Sequence, residues 1–170
     1  MADKFFISDT HFCHENIIRF CDRPFSCAEE MNEAMIERWN ARVKPGDKIY
    51  HLGDVGLGFK GEDKRLENIL RRLNGQKRLI VGNHDHLKSP VLHRYFEKIE
   101  LWKGFPTEGF TCVHIPLGLD QLRDGHVCVH GHMHNKVMGK KGYVNVCVEH
   151  TDYAPLSMDE LLKRIKEATR

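Results

Sequence analysis

Asp9 and His11 stand two residues apart, directly after the apolar run Lys4-Phe5-Phe6-Ile7. A carboxylate and an imidazole at the end of a buried strand can face one cleft and share a divalent metal. Four later stretches repeat the arrangement. Gly53-Asp54 follows an apolar run, as do Gly82-Asn83-His84-Asp85, His114 and Gly131-His132-Met133-His134. Each has an ordinary reading when taken alone. Gly-Asp is a common turn, an Asn caps loops, a His just ahead of Pro116 packs, and two His at i and i+2 share a strand face. Five strand ends furnished with Asp, Asn and His, in a chain of twelve histidines, are better explained together as one site of oxygen and imidazole donors. That donor set suits Mn, Fe, Co, Ni or Zn. Cysteine is absent from these loops except at Cys13, which argues against a thiolate zinc site.

For the loops to meet, the intervening chain must deliver strand ends to one place. Residues 47–52 and 78–81 read as second and third strands. Between the first two, Ser26-Cys27-Ala28-Glu29 has the form of a capping box, opening a helix with Met31, Met35, Trp39 and Val43 on its buried face. A glycine-rich loop (Gly56, Gly58, Gly61) precedes a helix carrying Leu66, Ile69, Leu70 and Leu73, closed by Asn74-Gly75. Strand, crossover helix, strand predicts a parallel sheet, whose carboxyl ends gather ligands. Residues 91–99 carry a helical stripe of Leu92, Tyr95, Phe96 and Ile99. Residues 110–113, 126–130 and 143–148 read as strands, and Ser157 to Glu160 as a capping box opening a last helix.

The 170 residues suit one domain, 1–170, with a real core. Hydrophobic residues make up 41%, charged residues 29%, and net charge is +2, so no global field demands nucleic acid. Met1-Ala2-Asp3-Lys4 leads straight into a strand, without a signal peptide, and no apolar run approaches membrane-spanning length. Six cysteines without a Cys-x-x-Cys pair read as reduced thiols of a cytoplasmic protein, with Cys112, Cys128 and Cys147 packed in apolar runs.

The five blocks, in order from 9 to 134, resemble the calcineurin-like metallophosphoesterase superfamily. Their flanks are similar to a small bacterial and phage branch: Phe6-Ile7-Ser8-Asp9-Thr10-His11-Phe12, Arg23-Pro24-Phe25, His51-Leu52-Gly53-Asp54-Val55, Asn145-Val146-Cys147-Val148-Glu149 and Pro155-Leu156-Ser157. The resemblance implies an α/β four-layer sandwich, two stacked mixed β-sheets flanked by helices, with the site at one edge. It implies two divalent transition metals, Mn favoured and Fe, Zn, Ni or Co as alternatives. Asp9, His11 and His134 would bind the first, Asn83, His114 and His132 the second, and Asp54 both. His84 would face the substrate as general acid, oriented by Asp85. Cys13 departs from the glycine expected there, which puts the local backbone in question.

The reaction so implied is attack of a metal-bridged hydroxide on a phosphodiester, His84 protonating the leaving oxygen. Formal charge favours a diester. Two divalent ions, two carboxylates and one hydroxide leave about plus one, matching a monoanion. His14, Asn16 and Arg23 are candidate substrate contacts. The expected substrate is a small phosphoester or nucleotide. A nuclease on DNA or RNA is the alternative, disfavoured because the basic residues from Lys60 to Arg78 read as a solvated helix face. Phosphomonoesterase activity and a non-catalytic metal-bearing interaction module are further alternatives. No membrane partner is expected, and oligomeric state is open.

Overall fold

A computed structural model describes residues 2–57 and 64–170. Gly58, Lys60 and Gly61 lie outside the described residues. Within these, the strands are β1 (Lys4–Ile7), β2 (Lys48–His51), β3 (Gln76–Ile80), β4 (Lys98–Glu100), β5 (Trp102–Phe105), β6 (Phe110–Val113), β7 (Val127–His130), β8 (Tyr143–Asn145) and β9 (Leu156–Ser157). One sheet has the order β4-β3-β2-β1-β9, the other β5-β6-β7-β8. β1 to β4 are parallel and β9 antiparallel; β6, β7 and β8 are parallel and β5 antiparallel.

Strand alternation divides the core in two. Phe6, Tyr50 and Ile80 point from the first sheet to the second, meeting Phe105, Phe110, Val127, Val129 and Val144. Phe5, Ile7, Ile49 and Leu79 point the other way, onto α2 (Ala28–Arg42), α3 (Lys64–Arg72) and α4 (Pro90–Tyr95). The short α1 (Glu15–Phe20) buries Ile17 in the same cluster. α5 (Met158–Ala168) packs on β1, β8 and β9, and its Leu161 and Ile165 join the core between the sheets. The fold is thus α/β, two mixed sheets flanked by helices. Over the outer face of the second sheet lies the segment 117–126 with its single 3-10 turn, tied down by Tyr143 Oη donating to Leu117 O (3.0 Å) and by His126 Nδ1 against Thr111 Oγ1 (2.8 Å). Among the described residues no helix is long and apolar enough to cross a membrane.

The helical stripes are where periodicity set them. Met31, Met35, Trp39 and Val43 are buried, as are Leu66, Ile69, Leu70 and Leu73. The capping box at Ser157 and Glu160 forms with both reciprocal bonds. That at Ser26 does not form. Glu30, not Glu29, reaches back to the Ser26 amide (2.7 Å), and the amide of Ala28 donates to Glu15 Oε2 from α1 (2.8 Å). The stripe of 91–99 is divided. α4 ends at Tyr95, Phe96 turns extended, and Ile99 lies in β4, paired with Leu79. Helix and strand bury into one cluster, so their apolar residues mimic a single helical face. β5, absent from the sequence reading, follows after one residue.

Phe6 is fully buried, stacked on Tyr50 (centroids 5.4 Å) and edge-on to Phe105 and Phe110 (5.5 and 5.8 Å). Phe6→Ala leaves a cavity between the sheets and is expected to lower unfolding free energy by about 3–5 kcal/mol, read by urea denaturation.

Candidate metal centre

The carboxyl ends of β1, β2, β3, β6 and β7 meet at one edge of the sandwich. Beyond the strands the loops continue to pair. The Asp9 amide donates to Gly53 O (2.9 Å), that of His11 to Asp54 O (3.1 Å), and that of Gly131 to His114 O (3.0 Å). Ser8 joins the two sheets, donating its amide to Val146 O and accepting from the Val148 amide (3.0 and 3.1 Å). Neighbouring chains approach so closely that side chains must be missing. A Cβ on Gly131 would stand 2.1 Å from Ser8 Oγ, and one on Gly82 would stand 2.2 Å from Asp54 Oδ1.

Asp9, His11 and His134 converge in one group of donors, and Asp54, His114 and His132 in a second; Cys21 and Glu149 cluster with His134 in a third, which shares that ring with the first. Asn83 Oδ1 completes the second, 2.9 Å from both His114 Nε2 and His132 Nδ1. Asp54 Oδ2 lies between them, 3.6 Å from His11 Nε2 and 3.3 Å from His114 Nε2. In the first group, Asp9 Oδ1 is 3.9 Å from His11 Nε2 and 3.8 Å from His134 Nε2. The separations of 3.6–3.9 Å are too long for hydrogen bonds. They suit ligands sharing an ion at bonds of about 2.0–2.2 Å. Asp9 Oδ1 and His11 Nε2 are also buried without a hydrogen-bond partner. A carboxylate oxygen and an imidazole nitrogen left bare in the interior are costly unless a cation completes them. The residues therefore fit a divalent metal.

Supporting bonds aim the donors. Asp9 Oδ2 accepts from Ser8 Oγ (2.5 Å), the His132 amide (2.9 Å) and Cys147 Sγ (3.2 Å), which turns Oδ1 to the cleft. His114 directs Nδ1 at Leu52 O (2.7 Å) and Nε2 inward. Thr10, between two donors, bonds Val55 O (2.6 Å) and His51 Nε2 (2.9 Å), so buried His51 steadies the first loop. Burial outweighs nearby Asp54 and lowers His11 to about 3, keeping its ring neutral. Burial alone would raise Asp54, but its hydrogen bond and charge pairing with His114 and the His84 amide bring it to about 2. Burial would likewise lower His134, but Cys21 and the carboxylates of Glu149 and Asp9 hold it up at about 10.

His84 is exposed at the rim. Its ring lies 5.6 Å from that of His11, and its amide donates to Asp54 Oδ1 (2.8 Å). Asp85 does not orient that ring. Its carboxylate accepts from the amides of Asp54 (2.8 Å), Gly82 (2.8 Å) and Val55 (3.0 Å), clipping the second and third loops together. Arg23 is likewise no substrate contact. It is buried and donates to Asp9 O (2.8 Å), Thr10 O (2.9 Å) and Glu149 Oε1 (2.7 Å). His14 remains on the cleft side, half-buried, its ring 5.5 Å from His11; burial and the nearby His84 lower it. Asn16 is exposed on the first turn of α1. Cys13 takes the glycine-like backbone after all, with φ of 65°, its amide donating to Asn32 Oδ1 (3.0 Å).

Sequence reasoning missed the supports Ser8, Cys147 and Glu149. All three stand in stretches similar to the superfamily branch, but no spacing rule ties them to Asp9 or His134.

The family model for calcineurin-like phosphoesterases matches residues 5–168. An uncharacterized protein of Methanocaldococcus jannaschii is 37% identical over 98% of this chain and 93% of its own. The Gene 66 protein of Mycobacterium phage D29 is 28% identical over 81% of each chain. A crystal structure of a protein of unknown function from Aquifex aeolicus superposes with a TM-score of 0.77 at 29% identity, covering 97% of this chain and all of that one. With that match across nearly its whole length, the chain belongs to the calcineurin-like phosphoesterases, metal-dependent hydrolases of phosphoesters.

Proposed function

We propose that this protein hydrolyses phosphodiesters at a centre of two divalent transition ions, Mn favoured, with His84 as general acid. The observation that carries the reading is the position of Asp54 Oδ2 between His11 and His114, within 3.6 Å of a nitrogen on each. One carboxylate oxygen so placed serves both donor groups. Asp9, His11 and His134 would hold one ion, and Asn83, His114 and His132 the other. When bound, such ions supply Lewis acidity for water activation and for charge on the phosphoryl oxygens.

The chain's own residues do the rest. Asp54 and Asp9 supply the negative charge that holds cations, and His134, held protonated in the ion-free site by its carboxylate neighbours, would release its proton as an ion binds. His84, exposed at the rim beside His11, is free to reach the oxygen of a departing alcohol and give it a proton. Such general-acid assistance contributes roughly 10²–10⁴-fold. Preference for a diester has support in Arg23. That guanidinium is occupied by Glu149 and two backbone carbonyls, so it offers no fork to a second phosphate charge. Small phosphodiesters or nucleotides are favoured over long nucleic acid. Arg72 is held by Glu33 (2.6 and 2.5 Å), Arg78 donates to Tyr50 Oη (3.3 Å), and Lys77 is buried, so these do not form a free basic track.

His84→Asn keeps the amide bond to Asp54 and is expected to retain metal. It should lose about 10²–10⁴-fold in kcat/KM on an unactivated dialkyl diester, and much less on a nitrophenyl diester, whose leaving group needs no proton. Equal losses on both would refute the acid. Asp54→Asn should weaken uptake at both positions. Elemental analysis finding two tightly held ions per chain in that variant would refute the bridging role.

A further inference from the structure

The two donor groups differ in what stands behind their histidines. In the second group, His114 Nδ1 meets the neutral carbonyl of Leu52 at 2.7 Å. In the first, His134 Nδ1 meets the carboxylate of Glu149 at 3.1 Å. Glu149 sits on a 3-10 turn, Val148–His150, after β8, with a side chain only 5% exposed. A buried carboxylate needs a counter-charge. Arg23, from the loop after α1 and itself fully buried at its side chain, supplies it through Nε (3.0 Å) and Nη2 (2.7 Å). The same guanidinium donates to the carbonyls of Asp9 and Thr10. One ion pair thus grips the backbone that carries Asp9 and leads into His11, and the ring of His134. Among the described residues no ion pair of this kind backs the second group, whose Asn83 is exposed.

We propose that Glu149, held by Arg23, is a positioning residue that makes the two metal positions unequal, so that the Asp9, His11 and His134 position is the tighter one and fills first. This rests on the two-ion reading above. A carboxylate accepting the second N–H of a ligating histidine fixes ring orientation and strengthens the other nitrogen as a donor. Losing such a partner typically costs ~10–100-fold in metal affinity. A backbone carbonyl orients a ring as well but carries no net charge.

Two experiments test this without measuring turnover. Crystals of the wild-type chain are grown metal-free and given one equivalent of Mn²⁺, and anomalous scattering is read at each position. The expected result is density at Asp9, His11 and His134. Equal density at both positions, or more at Asn83, His114 and His132, overturns the inequality but leaves two ions standing. Density at neither sinks both readings. Calorimetric titration of full-length Glu149→Gln with Mn²⁺ is the second experiment. Glutamine keeps the length and an acceptor oxygen but removes the charge. In a His114→Ala background, which isolates the first position, Glu149→Gln should weaken binding about 10–100-fold. In a His11→Ala background, which isolates the second, it should change binding less than twofold. Equal weakening in both backgrounds would mark Glu149 as merely structural and overturn the assignment. Should the Gln variant not fold, the wild-type crystal experiment still decides.

Discussion

The centre is organised around one buried carboxylate whose two oxygens face different demands. Asp9 Oδ2 is saturated by a hydroxyl, a thiol and an amide drawn from three separate segments. Asp9 Oδ1 is left bare, beside a bare His11 nitrogen. A fold that merely needed a polar residue there would satisfy both oxygens. Sealing one and leaving the other open fixes the direction of the negative charge. The donors that seal it come from both sheets, so placing Asp9 and joining the sheets are the same act. Ser8, one residue earlier, makes backbone bonds across that junction and gives its hydroxyl to Asp9.

Aiming the donors bends the backbone. Asp9, His11, Asp54, His132 and His134 all have φ between 47° and 67°. Such conformations cost roughly 1–2 kcal/mol per residue in general, less for Asp and His, the residue types that tolerate them best after Gly and Asn. The residue types that ligate are therefore also among those that can take the turn. The loop bonds between the first two strand ends, and the Asp85 clip between the second and third, hold these conformations in place before any ion arrives. Cys13 shares the conformation at φ of 65° without that chemical tolerance, and Asn32 bonds its amide in compensation. The sequence departs there from glycine, while the backbone does not depart from a glycine's path.

What could be read from the chain alone was whatever depends on period and order. The stripe of Met31, Met35, Trp39 and Val43 is a helical face because 3.6-residue spacing leaves no other way to bury it together. The donor set was legible because each member follows an apolar run, and parallel strands must end on one side. What could not be read depends on direction in space. Asp85 sits beside His84 in the sequence, yet its side chain turns inward to three amides. Arg23 looked like a cleft cation, but its partner Glu149 is 126 residues away. The stripe of 91–99 misled because α4 and β4 bury into one cluster, and periodicity cannot see a chain change element while keeping its face.

In one tight loop the adjacent side chains of His84 and Asp85 face opposite ways, the first to the rim and the second to the backbone. Asp85 binds the amides of Gly82, Asp54 and Val55, so the loop cannot drift from the second strand end. That fixes the His84 amide on Asp54 Oδ1, while the His84 ring, free of hydrogen bonds among the described residues, stays at the rim. Asp54 is thereby divided as Asp9 is. Oδ1 is anchored by backbone, and Oδ2 is presented between His11 and His114. The group that would bridge the ions and the group that would protonate the leaving oxygen are joined through a main-chain bond, not through the imidazole. Replacing the ring at position 84 would therefore remove the proposed proton donor without releasing the carboxylate, whereas loosening Asp85 would disturb both at once. The proposed reactivity at the rim and the rigidity beneath it are separable because side chain and backbone of the same residue face different partners.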